Sequence, residues 1–321
     1  VITTYTYRPD AGVERHDGIV DFAGFLLDAE TVFWVDMQSP SDEESYVLTH
    51  DFKFHPLSIE DVISEVPTPK IDVYDDYMFF VFKIADYSAG TTGLNTKEVD
   101  IFLLKNGVVT VHREPVKPIE IIEQRCAHDD RVLSRGAGFL FHSVVDYLGD
   151  HYNNTMEGLE DAVDEVEDDV FAEPDESVMK DIFNLKRDLS QLKRLITPQR
   201  EMLNRLSREE FALIDPETRI YFRDIFDHLN RVNDLADSYR DTLTAALEVY
   251  FSTVSSRTNE IIKVLTIFAA IMLPLTFIVG LYGMNLKMPE FGWEYGYLFV
   301  WGIIVLVIGG MLLFFKKRKW L

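Results

Sequence analysis

Two uncharged stretches close to the C-terminus constrain this chain more than any other feature. Residues 264–286 hold no ionisable side chain except Tyr282, and a second uncharged stretch runs over residues 295–315. A hydrocarbon core of about 30 Å needs about 20 predominantly apolar residues, so each stretch is long enough to cross it. Residues 287–294 (Lys287-Met288-Pro289-Glu290-Phe291-Gly292-Trp293-Glu294) form a link so short that the spans must make a helical hairpin with both chain ends on one side. Lys316-Lys317-Arg318-Lys319 follows the second span at once, whereas the link carries one Lys and two Glu. The positive-inside bias therefore predicts a multi-pass protein of the cell membrane, with the N-terminal region and the basic tail cytoplasmic. Trp293, Tyr295 and Trp320 fall where interfacial aromatics are expected.

The mean hydropathy of -0.02 averages two materials, a long hydrophilic region and a short apolar one. A formal charge of -23 argues against nucleic acid, whose phosphates demand basic surface, and suits a protein that handles cations. One cysteine, Cys126, excludes an intrachain disulfide and fits a reducing compartment. Cys126-Ala127-His128 lacks the further ligands of a soft-metal site, so an inert thiol is expected. No basic segment followed by an apolar run opens the chain, so no signal peptide is expected, and a start on Val1 rather than Met implies trimming or processing.

Residues 1–130 read as a mixed α/β domain. Residues 31–36 have buried-strand composition, and Ser39-Pro40 supplies an N-cap and first-turn signal for a short helix over residues 42–48. His55-Pro56-Leu57 opens another helix, in which Ser58 and Asp61 are spaced roughly as a capping box. Residues 77–84 and 99–104 have strand composition, and Asn106-Gly107 predicts a hairpin turn into residues 108–112.

Over residues 131–215 the pattern turns helical, with a break at Ala172-Glu173-Pro174-Asp175. The first helix is acidic (Glu160, Asp161, Asp164, Glu165, Glu167, Asp168, Asp169). The second sets Met179, Ile182, Leu185, Leu189, Leu192 and Ile196 on an apolar stripe, with Lys180, Lys186, Arg187, Lys193 and Arg194 on its polar face. An antiparallel hairpin with complementary faces accounts for the opposite signs. Beyond Asp215-Pro216 no firm helix stop occurs before Gly283. A helix from Arg219 to Tyr282 would be about 95 Å long at 1.5 Å per residue, a stalk that must pack on copies of itself over residues 216–263. Pro274 is tolerable inside a membrane helix.

Two helices cannot enclose a polar path, so an ion pathway would need one span from each of several subunits. On the first span Asn259, Ile262, Leu265, Ala269, Leu273, Thr276 and Gly280 recur at three- and four-residue steps and share one seam. The seam mixes polar, small and medium apolar residues, which fits either pore lining or close small-residue packing. The second span is almost wholly lipid-like. Neither a phosphate-binding Gly-rich loop ending in Lys-Ser/Thr nor a His-Glu-x-x-His pair occurs, so neither an enzyme nor a primary pump is expected.

Tyr282-Gly283-Met284-Asn285, closing the first of two C-terminal spans, resembles the hallmark of the CorA family of magnesium and cobalt transporters. Leu273-Pro274-Leu275-Thr276-Phe277, Met288-Pro289-Glu290, His55-Pro56-Leu57 with Glu60-Asp61, Tyr221-Phe222-Arg223-Asp224 and the lysine-rich end closing in Trp320-Leu321 extend the likeness over most of the chain. The resemblance implies an α+β cytoplasmic domain, a long stalk helix running into a two-span membrane domain (264–286 and 297–315, joined by an extracytoplasmic loop 287–296, with a tail 316–321), and a homopentamer. It implies a passive channel for Mg²⁺, with Co²⁺ and Ni²⁺ as further cargo, driven inward by the membrane potential. A ring of Tyr282, Gly283, Met284 and Asn285 would form the selectivity filter, apolar rings at Ile262, Leu265 and Leu273 would gate, and Glu290 and Glu294 would concentrate cations at the mouth. Regulatory Mg²⁺ would bind between subunits at Asp61, with Glu60 beside it, and at Asp224, with Asp146 as a further candidate. On residues alone, the favoured readings are a helix N-terminal carboxylate for Asp61 and a solvated i,i+4 partner of His228 for Asp224. Two rivals stand beside this reading: a zinc transporter of the same architecture, proton-coupled or not, and a membrane-anchored divalent-ion sensor without transport.

Overall fold

Strand-forming residues dominate the first third of the chain, and the computed structural model, which describes residues 1–88, 93–172, 175–285, 288 and 292–320, gathers them into one sheet. Among the described residues it has seven strands: β1 (Ile2–Arg8), β2 (Gly12–Asp17), β3 (Val32–Gln38), β4 (Lys70–Val73), β5 (Tyr77–Asp86), β6 (Asn95–Leu104) and β7 (Gly107–His112). Their order is β2-β1-β3-β7-β6-β5-β4. All neighbours are antiparallel except β3 and β7, whose parallel register runs from Phe33↔Gly107 to Gln38↔His112. A parallel pair needs a long crossover, and here the connection contains two helices and three strands.

Short helices α1 (Phe22–Leu27), α2 (Asp42–His50) and α3 (Pro56–Ile63) cover one sheet face, burying Phe22, Val47, Leu48 and Val62 against Phe33, Val35, Phe79, Phe102 and Val109. Helix α4 (Lys117–His128) leads to α5 (Ala137–Ala172), which lies on the sheet: the Phe80 and Phe141 rings sit 4.4 Å apart, and the Tyr152 hydroxyl donates to the Lys83 carbonyl at 2.7 Å. With both faces covered, β5 is buried from Tyr77 to Ala85 and reads as a continuous apolar run rather than an alternating one.

Helix α6 (Glu176–Arg208) returns beside α5, and Gln199 Nε2 donates to the Tyr152 hydroxyl at 2.8 Å. Asp175 caps α6 by accepting from the Ser177 N–H at 2.6 Å; Glu173 and Pro174 of the expected break lie outside the described residues. The expected stripe is the buried face of α6, apart from half-buried Met179. The charge complementarity differs from expectation. Lys193 pairs with Asp237 at 2.5 Å and Lys186 donates to Thr244 at 2.7 Å, both on the next helix, while the acidic run of α5 from Glu160 to Asp169 faces outward except for half-buried Glu167. A second helix packed on α6 supplies the counter-charge.

Three local signals are used differently from their sequence reading. The cap of α2 is Ser41, not Ser39-Pro40: its hydroxyl accepts from the Glu44 N–H while Glu44 accepts from the Ser41 N–H, a complete capping box. Ser39 instead turns the chain at φ +45°. His55, not Ser58, caps α3 through Nδ1, because Ser58 is buried against the Tyr77 hydroxyl. The β6–β7 hairpin forms, but its two linking residues are Lys105 and Asn106. Asn106 Nδ2 binds the carbonyls of Phe25, Asp28 and Thr31, and Gly107 is already a strand residue. Strands β1, β2 and β4 and helices α1 and α4 carried no decisive sequence signal.

Helix α7 is continuous from Pro216 to Tyr282, with Pro274 inside it, and α8 spans Gly296–Lys317. The chain divides into two compact units, Val1–Leu247 and Glu248–Leu321. Both units thus share α7.

Candidate functional site

In the second unit, α7 and α8 are each long and apolar enough to cross a membrane, with mean hydropathies of 2.5 and 2.8 over their most apolar windows. Each is covered on one side only. On α7 the half-buried residues are Lys263, Ile267, Ala270, Ile271, Pro274, Leu275 and Ile278. At 100° per residue these fall opposite the seam of Asn259, Ile262, Leu265, Ala269, Leu273, Thr276 and Gly280, all seven of which are exposed. On α8 the corresponding stripe is Val300, Ile303, Ile304, Val307, Ile308, Met311 and Phe315. A single chain therefore leaves the polar and small-residue seam uncovered. The Thr276 hydroxyl donates to its own helix at Met272 O (2.8 Å), which leaves its oxygen lone pairs to face outward.

Past Tyr282 the last turn closes with one further i→i−4 bond, the Gly283 N–H to Val279 O at 2.9 Å, and one tighter i→i−3 bond, the Met284 N–H to Leu281 O at 3.3 Å. A Cβ on Gly283 would stand 3.0 Å from the Val279 carbonyl, tighter than ordinary contact, so glycine lets the chain leave the helix here without displacing that turn. Asn285 is exposed and makes no hydrogen bond with another described residue. Its amide is not used as a helix cap. It presents a carbonyl oxygen and an NH₂ group outward, as does no other side chain of this tetrapeptide. Glu294 is exposed; Glu290 lies outside the described residues.

The expected regulatory carboxylates belong to the first unit. Asp61 sits late in α3, so it is not an N-terminal helix carboxylate. It accepts from Lys70 Nζ at 2.6 Å, and Lys70 also pairs with Asp72 at 2.7 Å. Glu60 is exposed beside it. Asp224 is exposed and makes no hydrogen bond or ion pair with another described residue. Its expected partner His228 turns to α5 instead, with Nε2 2.8 Å from Asn153 Oδ1 and Nδ1 3.4 Å from Asp150. Asp146 is coupled to this group: burial, then the charges of Asp150 and Asp224, push its carboxyl up to about 6. Burial lowers His228. Asp146, Asp150, Asp224 and His228 are thus brought together, whereas Asp61 stands with Lys70. Among the described residues no three His, Cys, Asp or Glu gather as a metal-ligand set. A divalent ion at any of these carboxylates would be held through one or two of them and its own waters, which is how Mg²⁺ is ordinarily bound.

Sequence reasoning missed Lys70 and Asp100. Lys70 and Asp72 are two residues apart on β4 and so share a face, but the strand itself is too short to be read. Asp100 occupies the core face of β6 beside Phe102 and is 4% exposed, and its Oδ1 has no hydrogen-bond partner. It lines a cavity with Val62, Glu65, Glu98 and Arg113. Burial, then the carboxylates of Glu98 and Asp61, raise its pKa well above the ordinary range against the pull of Lys83 and Arg113. A carboxyl whose folded pKa lies above its unfolded one favours unfolding progressively as pH climbs from the unfolded value near 4 toward the folded one, because the unfolded chain releases the proton first. Asp100→Asn is therefore expected to raise the thermal midpoint at neutral pH by a few degrees, about 2–4 °C per kcal/mol for a unit of this size. The gain should vanish below about pH 4. A pH series of melting curves checks it, and a gain that persists at low pH would show that ionisation is not the cause.

A mixed α/β unit sharing one unbroken helix with a unit of two exposed, membrane-length apolar helices is the build of a two-span integral membrane protein. Comparison with known proteins narrows this to a family. The chain belongs to the CorA-like Mg²⁺ transporter proteins, whose family profile it matches over residues 29–317. It is 36% identical over 335 residues to the cobalt/magnesium transport protein CorA of Thermotoga maritima, spanning 100% of this chain and 95% of that one. The complete structure of the CorA magnesium transporter from Methanocaldococcus jannaschii has the same fold, with a TM-score of 0.84 at 23% identity, covering 99% of this chain and 98% of that one. The zinc transport protein ZntB of Cronobacter sakazakii is 30% identical over a shorter region, 56% of this chain and 54% of that one.

Proposed function

We propose that this chain is a subunit of a passive divalent-cation channel that admits Mg²⁺, and with it Co²⁺ and Ni²⁺, down the membrane potential. Its relative in Thermotoga maritima is a cobalt/magnesium transport protein, and the family carries Mg²⁺. The observation that carries the reading is the unengaged Asn285 amide at the end of a helix whose polar and small-residue seam is exposed in the single chain. Five copies around an axis would cover that seam and bring five amides together. Mg²⁺ sheds water reluctantly and prefers octahedral oxygen ligation, so amide oxygens that contact its waters hold it without stripping them. Neutral oxygens also release it, and conduction needs binding weak enough to leave. Glu294 and Glu290 raise the local cation concentration, and Ile262, Leu265 and Leu273 form the apolar constriction. An inward step of a divalent ion gains about 4.6 kcal/mol per 100 mV, twice the single-charge value.

Closure by cytoplasmic Mg²⁺ belongs to the same reading. Asp224 lies on α7, the helix that also carries the seam, and its carboxylate is unpaired among the described residues. Asp61 of a neighbouring subunit would repel it unless a cation bridges the two. Lys70 holds the Asp61 carboxylate in the single chain, so the bridging ion competes with that ammonium.

The test is Mg²⁺ uptake into proteoliposomes holding a Mg²⁺-sensitive dye, under an imposed inside-negative potential. Uptake that follows the potential and declines as internal Mg²⁺ is raised is expected. No uptake in vesicles low in internal Mg²⁺ overturns the channel, and uptake indifferent to internal Mg²⁺ overturns the sensor alone. Zinc transport is the second reading, favoured by the ZntB relative; neither span contains the His or Cys that a zinc-selective pathway would use. Zinc flux without Mg²⁺ flux in the same vesicles would establish it.

A further inference from the structure

The last helix ends in a complete Schellman motif whose left-handed residue is a lysine. The Lys319 N–H reaches Lys316 O at 3.1 Å and the Trp320 N–H reaches Phe315 O at 3.0 Å, the two bonds that define this cap. Lys319 stands at φ +57°. The Trp320 ring stacks on Phe315 with centroids 5.7 Å apart, the apolar clasp that accompanies the motif. Glycine is the usual occupant of the turning position, because there a Cβ crowds the following carbonyl. This chain keeps a lysine in it.

The cap holds Lys316, Lys317, Arg318 and Lys319 together, all exposed, directly beyond the uncharged residues of α8. None of the four makes an ion pair with a described residue, in a chain whose net charge is -23. The helix dipole accounts for cations at Lys316, Lys317 and Arg318, in or next to the last turn. It does not account for Lys319, which has left the helix. The feature common to all four is their depth: they sit where α8 passes from hydrocarbon to water, with Trp320 and Phe314 beside them.

We infer that this cap is a binding site for an anionic phospholipid, whose headgroup phosphate the four cations receive while the exposed rings of Trp320 and Phe314 rest against its upper acyl chain. Basic clusters next to a membrane helix attract anionic headgroups in this way, and Schellman closure converts a loose tail into a fixed cluster. The inference rests on α8 spanning the membrane and not on what the protein transports.

The test is native mass spectrometry of the full chain in detergent with equal phosphatidylglycerol and phosphatidylcholine. The wild type is expected to retain phosphatidylglycerol several-fold over phosphatidylcholine. Lys319→Gly separates the roles: it supplies the residue the backbone prefers, so its thermal midpoint should match or exceed wild type, while its phosphatidylglycerol preference falls several-fold. K316Q/K317Q/R318Q should abolish the preference. Equal retention of both lipids by the wild type, or an unchanged preference in Lys319→Gly, overturns the inference. Displacement of the lipid by an equal concentration of soluble glycerol phosphate also overturns it, because the site would then take a free anion.

Discussion

Asn285→Ala is expected to lower Mg²⁺ uptake by about a hundredfold or more in the proteoliposome assay, with the protein folded and reconstituted as the wild type is. Asn285 makes no hydrogen bond with another described residue, so its removal leaves no buried partner stranded and stability should hardly move. The loss would fall on the ion. A water-mediated or direct hydrogen bond has a net worth of about 0.5–1.5 kcal/mol, and the proposed ring of five would lose five at once, about 2.5 kcal/mol or more. Asn285→Asp separates recognition from release. It keeps oxygen ligands but adds charge, so Mg²⁺ should bind more tightly and pass more slowly. Wild-type flux through Asn285→Ala would sink the filter assignment, whatever became of the channel as a whole.

Gly107→Ala is expected to destabilise the sheet strongly for so small a change. A Cβ at this position would lie 2.3 Å from two atoms of the Phe33 ring, far inside contact. Phe33 is fully buried, with Phe25 at 6.3 Å and Phe52 at 6.2 Å between ring centroids, so it has no void to move into. Overpacking of this kind costs about 1–3 kcal/mol, sometimes more. At about 2–4 °C per kcal/mol the midpoint should fall by up to about 10 °C. Phe33→Leu in the Gly107→Ala background should restore part of the loss, since a smaller side chain vacates the contested space. An unperturbed melting curve for Gly107→Ala with Phe33 retained would show that the two elements part easily.

These two residues mark the two ways in which this sequence is informative. Asn285 was legible because its context is one-dimensional: a tetrapeptide between two uncharged stretches needs no knowledge of folding to be noticed. Gly107 was legible as a glycine and misread as to purpose. The Asn-Gly pair suggested a turn that requires left-handed backbone, but Gly107 does not adopt it, and the glycine answers a ring from a strand more than seventy residues earlier. Asp61 shows the same limit. Its place after His55-Pro56-Leu57 marked it as a site candidate, but its present partner Lys70 comes from β4, a strand of four residues with no pattern of its own. Likewise His228 is four residues from Asp224, which is helical pairing distance, but the structure gives it to Asp150 and Asn153 across the α5–α7 contact.

What the sequence determined by itself is whatever depends on runs and periods. Two membrane-length helices follow from the absence of charge, the stripe of α6 and the exposed seam of α7 from helical spacing, and the family from contiguous motifs. The tertiary structure alone decided the strand order, the parallel β3–β7 pair, the partners of the basic face of α6, and which carboxylates meet. Each of those depends on which distant surfaces bury one another. Burial is a property of pairs of surfaces, and a single chain read in order does not contain the pairs.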